Sequence, residues 1–71
     1  MKSTLQYRKG LAKAVEVTGI SARQASLNAG FNENQLNRFV SGRTSIKLDT
    51  LEALCEEGFG LTMESIFRLG K

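Results

Sequence analysis

Residues 21–43 read SARQASLNAGFNENQLNRFVSGR, and they decide the fold because they predict two short helices that meet at a glycine. Ser21 is a residue type preferred at a helix N-cap, and Gln24 three positions later completes a capping box. Gly30 suits the left-handed conformation with which many helices end. The first helix of the pair is therefore predicted over residues 22–29.

The second helix of the pair is predicted from an N-cap at Asn32 to about Val40, with Gln35 completing a second capping box. Leu36 and Phe39 lie three positions apart, which predicts one helix face packed on a core. The remaining side chains of this segment are amides and charged groups. In the major groove an amide can pair with adenine and an arginine with guanine. The pattern is typical of a helix that reads DNA bases.

Three more helices are predicted around this pair, because glycines divide the chain into segments of ordinary helix length. The chain lacks the alternation of apolar and polar residues that would indicate a strand. These helices cover residues 4–17 behind an N-cap at Ser3, residues 48–57, and a last helix behind an N-cap at Thr62. Gly10 falls inside the first and weakens it by up to about 1 kcal/mol relative to alanine. The predicted core stripes are Leu5, Leu11, Ala12 and Val15 in the first helix, and Leu48, Leu51, Leu54 and Cys55 in the fourth. The chain is thus predicted to be all-α, a compact five-helix bundle forming a single domain over residues 1–71, with a helix–turn–helix at about residues 21–41.

Charge divides the chain into two parts. Residues 1–47 carry eight Lys or Arg and two acidic residues, hence +6, whereas residues 48–71 carry two basic and five acidic residues, hence −3. A basic region beside an acidic one is expected of a molecule that turns one side to a polyanion such as DNA. An ordinary solvated surface is the alternative interpretation.

Several function classes find no support in the composition. The chain has no His and one Cys, so neither an internal disulfide nor a cysteine–histidine metal site is expected. The sequence contains neither a nucleophile–base pair nor a glycine-rich phosphate loop, so nothing in it indicates an enzyme. We expect no cofactor and no small-molecule ligand. The apolar runs are too short to span a membrane, no signal peptide is visible, and the unpaired Cys55 suits a reducing compartment, so a bacterial cytoplasm or nucleoid is expected.

Residues 21–69 resemble the lambda-repressor/Cro helix–turn–helix family, also called XRE-type, which comprises the five-helix domains of phage repressors and many bacterial regulators. The resemblance is carried by Gln24-Ala25-Ser26-Leu27, Ala29-Gly30-Phe31, Leu36, Phe39, Gly42-Arg43, Thr50-Leu51, and the ending from Leu61-Thr62-Met63 to Ile66-Phe67. Ser26 and Cys55 replace the alanines usual in the family, and both are small. Ala22 replaces a polar residue that commonly touches phosphate, so Ser21 or Arg23 would have to replace that contact.

The resemblance implies roles for particular residues. Glu33, Asn34 and Arg38 fall where the family contacts base edges, Asn32 and Asn37 at the backbone-facing margins, and Gly42-Arg43 where the next loop contacts phosphate. With the residue types considered, the predicted base contacts are Glu33, Asn34, Asn37 and Arg38, and the predicted phosphate contacts are Ser21, Arg23, Asn32, Arg43, Thr44 and Lys47. Three roles stay open for Glu33: accepting from cytosine, stabilising the helix N-terminus, or repelling wrong phosphates. Lys2, Arg8, Lys9 and Lys13 are candidates for additional phosphate contacts, although each taken singly is expected to be a plain surface residue.

The end of the chain is predicted to form a dimer interface through Ile66, Phe67 and Leu69, with a wholly internal role as the alternative. A homodimer would bind a pseudo-palindromic operator in double-stranded DNA with half-sites about one helical turn apart. The sequence therefore predicts a transcriptional regulator that acts by occupying its operator. The main rival is an antitoxin-like or adaptor protein whose role is to bind another protein.

Overall fold

Five α-helices joined by short connections make up the computed structural model, which describes residues 2–71, with side chains from Leu5 onward. The helices are α1 (Lys2–Thr18), α2 (Ala22–Asn28), α3 (Gln35–Val40), α4 (Leu48–Ala53) and α5 (Met63–Leu69), and α4 continues as a π-helical turn over Leu54–Gly58. The described residues contain no strand. The prediction of an all-α, five-helix bundle is confirmed. None of these helices combines the length and apolarity that crossing a membrane requires.

Two of the predicted N-caps are present. The hydroxyl oxygen of Ser21 accepts from the Gln24 amide at 3.1 Å, and Thr62 accepts from the Ser65 amide at 3.1 Å. The Gln24 side chain donates to Asn28 instead of returning to the start of α2, so only half of that capping box forms. Ser3 lies inside α1, which begins one residue earlier than this predicted cap.

Helices α2 and α3 end in the same type of turn. Gly30 and Gly42 both adopt the left-handed conformation, at φ +82° and +81°. The amide of the residue after each glycine, Phe31 or Arg43, donates at 2.9 Å to a carbonyl five residues earlier, as in a Schellman motif. Phe31 then packs against the core, whereas Arg43 is exposed. The first turn leads the chain inward and the second leaves a cation at the surface.

The core takes residues from every helix and from the turn before α5. Its buried apolar members are Leu11, Ala14, Ala25, Leu36, Phe39, Leu51, Leu54, Cys55, Phe59 and Ile66. Burial, and secondarily the charges of Glu56 and Glu52, raise the pKa of the Cys55 thiol from 9.0 to about 12. The thiol is therefore neutral at physiological pH and behaves as an apolar core residue, as the sequence predicted.

The predicted core stripes of α1 and α4 need correction. Leu5 is 51% exposed and Leu48 is 68% exposed, and Ala12 is exposed as well. The stripe of α1 faces inward through Gly10, Leu11 and Ala14 instead, because the chain packs α5 directly against that side of the helix. Leu48 lies in the first turn of α4, and the buried part of that helix begins only at Leu51.

Close packing of α1 on α5 depends on two glycines. A Cβ atom on Gly10 would overlap the carbonyl oxygen of Ile66, and a Cβ on Gly70 would overlap the carbonyl oxygen of Gln6. The Gln6 side chain also donates to the Phe67 carbonyl at 2.7 Å. Gly10, which weakens an isolated helix, is thus required where the two backbones touch.

A buried hydroxyl connects α2 to α3. Ser26 is fully buried, and its Oγ donates to the Ala22 carbonyl at 2.8 Å while accepting from the Leu36 amide at 3.0 Å. Leu36 is in the first turn of α3, where amides have no partner within the helix. The Ser26 hydroxyl therefore satisfies a buried donor, which an alanine at this position could not do.

Candidate functional site

The start of α3 differs from the sequence prediction. The side-chain oxygen of Asn32 accepts from the Asn34 amide at 2.9 Å, and the Gln35 amide donates to the Asn32 carbonyl at 3.0 Å. These bonds form a turn before the helix, so Asn34 rather than Asn32 occupies the N-cap. The prediction of an N-cap at Asn32 was wrong because its side chain closes a local Asx-type turn instead. Glu33 consequently lies in the turn and outside the helix.

Helix α3 is held on one side only. Leu36 is fully buried and Phe39 is 1% exposed, which confirms the prediction that these two residues anchor the helix on the core. The side chains of Asn34, Asn37 and Arg38 are exposed. One face of a helix of six residues is thus fixed, and the opposite face is open to solvent.

The open face of α3 borders a shallow cavity of about 470 Å³. Its lining side chains are Asn34, Asn37, Arg38, Ser41 and Arg43. The first four follow a spacing of three, four and seven positions, which places them on one face of a helix, and the turn at Gly42 brings Arg43 beside them. These five residues offer two guanidinium groups, two amides and a hydroxyl, and none of the five is acidic.

An ion pair lies beside the beginning of α3. The Nε atom of Arg23 donates to a carboxylate oxygen of Glu33 at 2.9 Å, and the two side chains are 68% and 49% exposed. The sequence predicted a phosphate contact for Arg23 and a base contact for Glu33, but here they contact each other. Exposed pairs of this kind contribute about 0–1 kcal/mol, so either residue can exchange its partner at little cost.

The other predicted phosphate contacts are not among the residues that line the cavity. Ser21 and Lys47 are exposed at the N-caps of α2 and α4, and Asn32 is exposed in the turn before α3. Thr44 is half-buried, and its hydroxyl donates to the Ser45 carbonyl at 3.1 Å. Of the six predicted phosphate contacts, only Arg43 lines the cavity together with Asn34, Asn37 and Arg38.

Two residues of this region were not predicted. Ser41 lines the cavity and donates to the Arg38 carbonyl at 3.1 Å, and its spacing from Asn34 and Arg38 was a usable signal. Arg8 of α1 donates to the carbonyls of Phe39 and Thr44. It was predicted to be a plain surface residue, because nothing near it in the sequence indicates a contact so far along the chain.

The predicted dimer residues occupy different environments. Ile66 is fully buried within a single chain, so it belongs to the core and offers no surface to a second copy. Phe67 and Leu69 are half-buried, and the Phe67 ring lies 5.1 Å from the ring of Tyr7. The alternative of an internal role therefore applies to Ile66, whose carbonyl side α1 covers at Gly10.

The open face of α3 is thus a polar surface, whose hydrogen-bonding groups lie on the side of the helix opposite its two core anchors. Any role for it has to be inferred from the chemistry of those groups. Comparison of the chain with protein-family models, with curated proteins and with solved structures found no match.

Proposed function

We propose that this chain is a sequence-specific regulator of transcription that binds double-stranded DNA, with α2 and α3 acting as a helix–turn–helix. The observation that carries the proposal is the cavity beside α3. Its five lining side chains all carry groups that can form hydrogen bonds and none is acidic, while Leu36 and Phe39 anchor the opposite face of the helix. Such a helix suits insertion into the major groove, where base edges present donors and acceptors.

The chemistry of the lining residues divides between reading and positioning. Arg38 is the group best suited to guanine, and the amides of Asn34 and Asn37 are suited to adenine. Arg43, which follows the helix, would contact phosphate, and such a contact fixes orientation without carrying sequence information. The excess of +6 over residues 1–47 would draw DNA toward this part of the chain.

In this proposal the protein acts by occupancy in the bacterial cytoplasm. A homodimer, formed in part through Phe67 and Leu69, binds a pseudo-palindromic operator with half-sites about one helical turn apart. The bound dimer excludes polymerase or a competing regulator from that DNA.

Selection from random duplex DNA at near-physiological salt, followed by sequencing, tests the proposal. We expect a consensus with two-fold symmetry, whose spacing then gives the dimer geometry. Absence of enrichment, with weak binding only at low salt, would contradict the proposal and favour the antitoxin-like or adaptor role.

Two variants then separate the proposed roles on the selected site. Arg38→Ala is expected to relax the preference at one base position by a factor corresponding to about 1–3 kcal/mol. Arg43→Ala is expected to weaken binding to all duplexes alike and to reduce the slope of log affinity against log salt by about 1. Equal losses from both variants, independent of sequence, would refute this division.

A further inference from the structure

We propose that Arg8 is a positioning residue, which holds the end of α3 and the loop after it so that Ser41 and Arg43 face the cavity. The effect on DNA binding rests on the proposed function. The positioning itself can be measured on the protein without DNA.

The Arg8 guanidinium makes two contacts with Phe39 in the last turn of α3 and one with Thr44 in the loop after it. Its Nε donates to the Phe39 carbonyl at 2.9 Å, and one terminal nitrogen donates to the Thr44 carbonyl at 3.3 Å. Its central carbon also lies 5.0 Å from the centroid of the Phe39 ring, a distance at which a cation is attracted to an aromatic face. A single side chain of α1 thus contacts the last turn of α3, its core anchor and the following loop.

These contacts matter because α3 is too short to be stable alone. A helix of six residues depends on tertiary contacts for its order. The last carbonyls of a helix carry partial negative charge, which a cation stabilises. Arginine suits the position since its planar group presents several donors in a fixed arrangement, which a lysine ammonium does not.

The two carbonyls that accept from Arg8 lie on either side, in the chain, of two residues that line the cavity. Ser41 and Arg43, which line the cavity, fall between Phe39 and Thr44 in the chain. The same segment contains Gly42 at a positive φ, where the chain turns sharply. Fixing both ends of this turn fixes the direction in which Ser41 and Arg43 leave the backbone.

The test compares Arg8→Gln with Lys13→Gln. Both remove one positive charge from α1, and Lys13 is an exposed residue of that helix. Amide hydrogen exchange, followed by NMR on the protein without DNA, reports the order of residues 41–44. We expect Arg8→Gln to accelerate exchange of the Ser41, Gly42 and Arg43 amides at least tenfold, with amides of α5 unchanged, and Lys13→Gln to leave all of them unchanged.

A third variant, Arg8→Lys, keeps the charge and much of the aliphatic stem. It is expected to show the same accelerated exchange, because an ammonium cannot satisfy both carbonyls and lie over the Phe39 ring. Unchanged exchange at residues 41–44 in a folded Arg8→Gln or Arg8→Lys protein would overturn the proposal. So would global unfolding of both variants, which would make Arg8 a residue for stability and not for positioning.

Binding assays connect this result to the proposed function. On the selected operator, Arg8→Gln and Arg8→Lys are expected to lose at least tenfold in the ratio of specific to random-duplex affinity. Lys13→Gln should lower both affinities by a similar factor. A preserved ratio in both Arg8 variants would overturn the effect on recognition. If the wild-type protein selects no duplex, the proposed function fails, and accelerated exchange in the variants would still support the positioning role.

Discussion

Helices α3 and α5 are both short, and the chain holds them in place in opposite ways. Helix α5 lies backbone against backbone on α1, at Gly10 and Gly70, where there is no room for a Cβ atom. Helix α3 has two core anchors, and side chains from other helices bind its backbone at both ends: Ser26 at the first turn and Arg8 at the last.

The two kinds of attachment differ in how much of each helix they leave exposed to solvent and to a binding partner. A contact between two backbones buries the facing surface of both elements, so the contact between α5 and α1 serves the stability of the fold. Side chains that reach α3 from behind fix its position but leave its outer face uncovered. Functional groups are best presented by an element whose supports are rigid and separate from the groups themselves. Helix α3 meets that description.

The largest effect is expected from Gly10→Ala, which breaks the attachment of α5. Helix propensity alone predicts a gain of up to about 1 kcal/mol for this change. The Cβ atom would overlap the Ile66 carbonyl, however, and backbone cannot move aside as a side chain can. We expect a loss of about 3 kcal/mol, the upper part of the range for overpacking, measured by urea unfolding.

Ala12→Gly calibrates this experiment, since Ala12 is exposed on the same helix. It should lose about 1 kcal/mol through backbone entropy alone. A Gly10→Ala protein as stable as the wild type would mean that α1 and α5 can separate without penalty.

A smaller effect is expected from Ser26→Ala, which breaks one attachment of α3. The Leu36 amide would lose its only side-chain partner in a buried position, at a cost of about 1–2 kcal/mol. Urea unfolding gives the stability, and faster exchange of the Leu36 amide locates the change. Ser45→Ala, in an exposed loop position, should change stability little. Equal stabilities of the Ser26 and Ser45 variants would argue against a role for the hydroxyl.

The smallest effect on stability is expected from Glu33→Gln, which removes the ion pair beside α3. Exposed pairs contribute about 0–1 kcal/mol, so the free energy of unfolding should scarcely change. Affinity for random duplex DNA should rise, because one negative charge disappears and Arg23 becomes available to phosphate. Binding measured over a range of salt concentrations tests this.

Glu64→Gln is the matched control on α5, since Glu64 forms a similarly exposed pair with Arg68 at 2.9 Å. It should raise affinity less than Glu33→Gln does. A Glu33→Gln protein that instead loses its preference at a single base pair would show that Glu33 reads cytosine.

Local features of the fold were predictable from the sequence. The caps at Ser21 and Thr62, the left-handed Gly30 and the anchors Leu36 and Phe39 each depend on residues within a few positions. Periodicity also indicated the stripes of α1 and α4, but it could not show where each stripe leaves the core. Leu5 and Leu48 lie where the stripes have left the core, so they are exposed although the periodicity predicted them to be buried.

Contacts between distant segments were not predictable. Arg8 and Phe39 are 31 positions apart, and the contact exists only because α1 packs beside the end of α3. Gly10 appeared as a weakness of α1 until its neighbour Ile66 was known. Of the candidate site, the sequence predicted Asn34, Asn37, Arg38 and Arg43 as members, whereas their common cavity and its support from Arg8 depend on how the helices pack.

The length of α3 limits how much sequence information one copy of this protein could carry. Six helical residues extend about 9 Å, which corresponds to about three base pairs of DNA. Three positions distinguish roughly 64 sequences, whereas a genome offers at least about a million competing sites. A regulator built on this helix would therefore gain its binding-site specificity by repetition. Its DNA site would contain more than one copy of the same short recognition sequence at a fixed spacing.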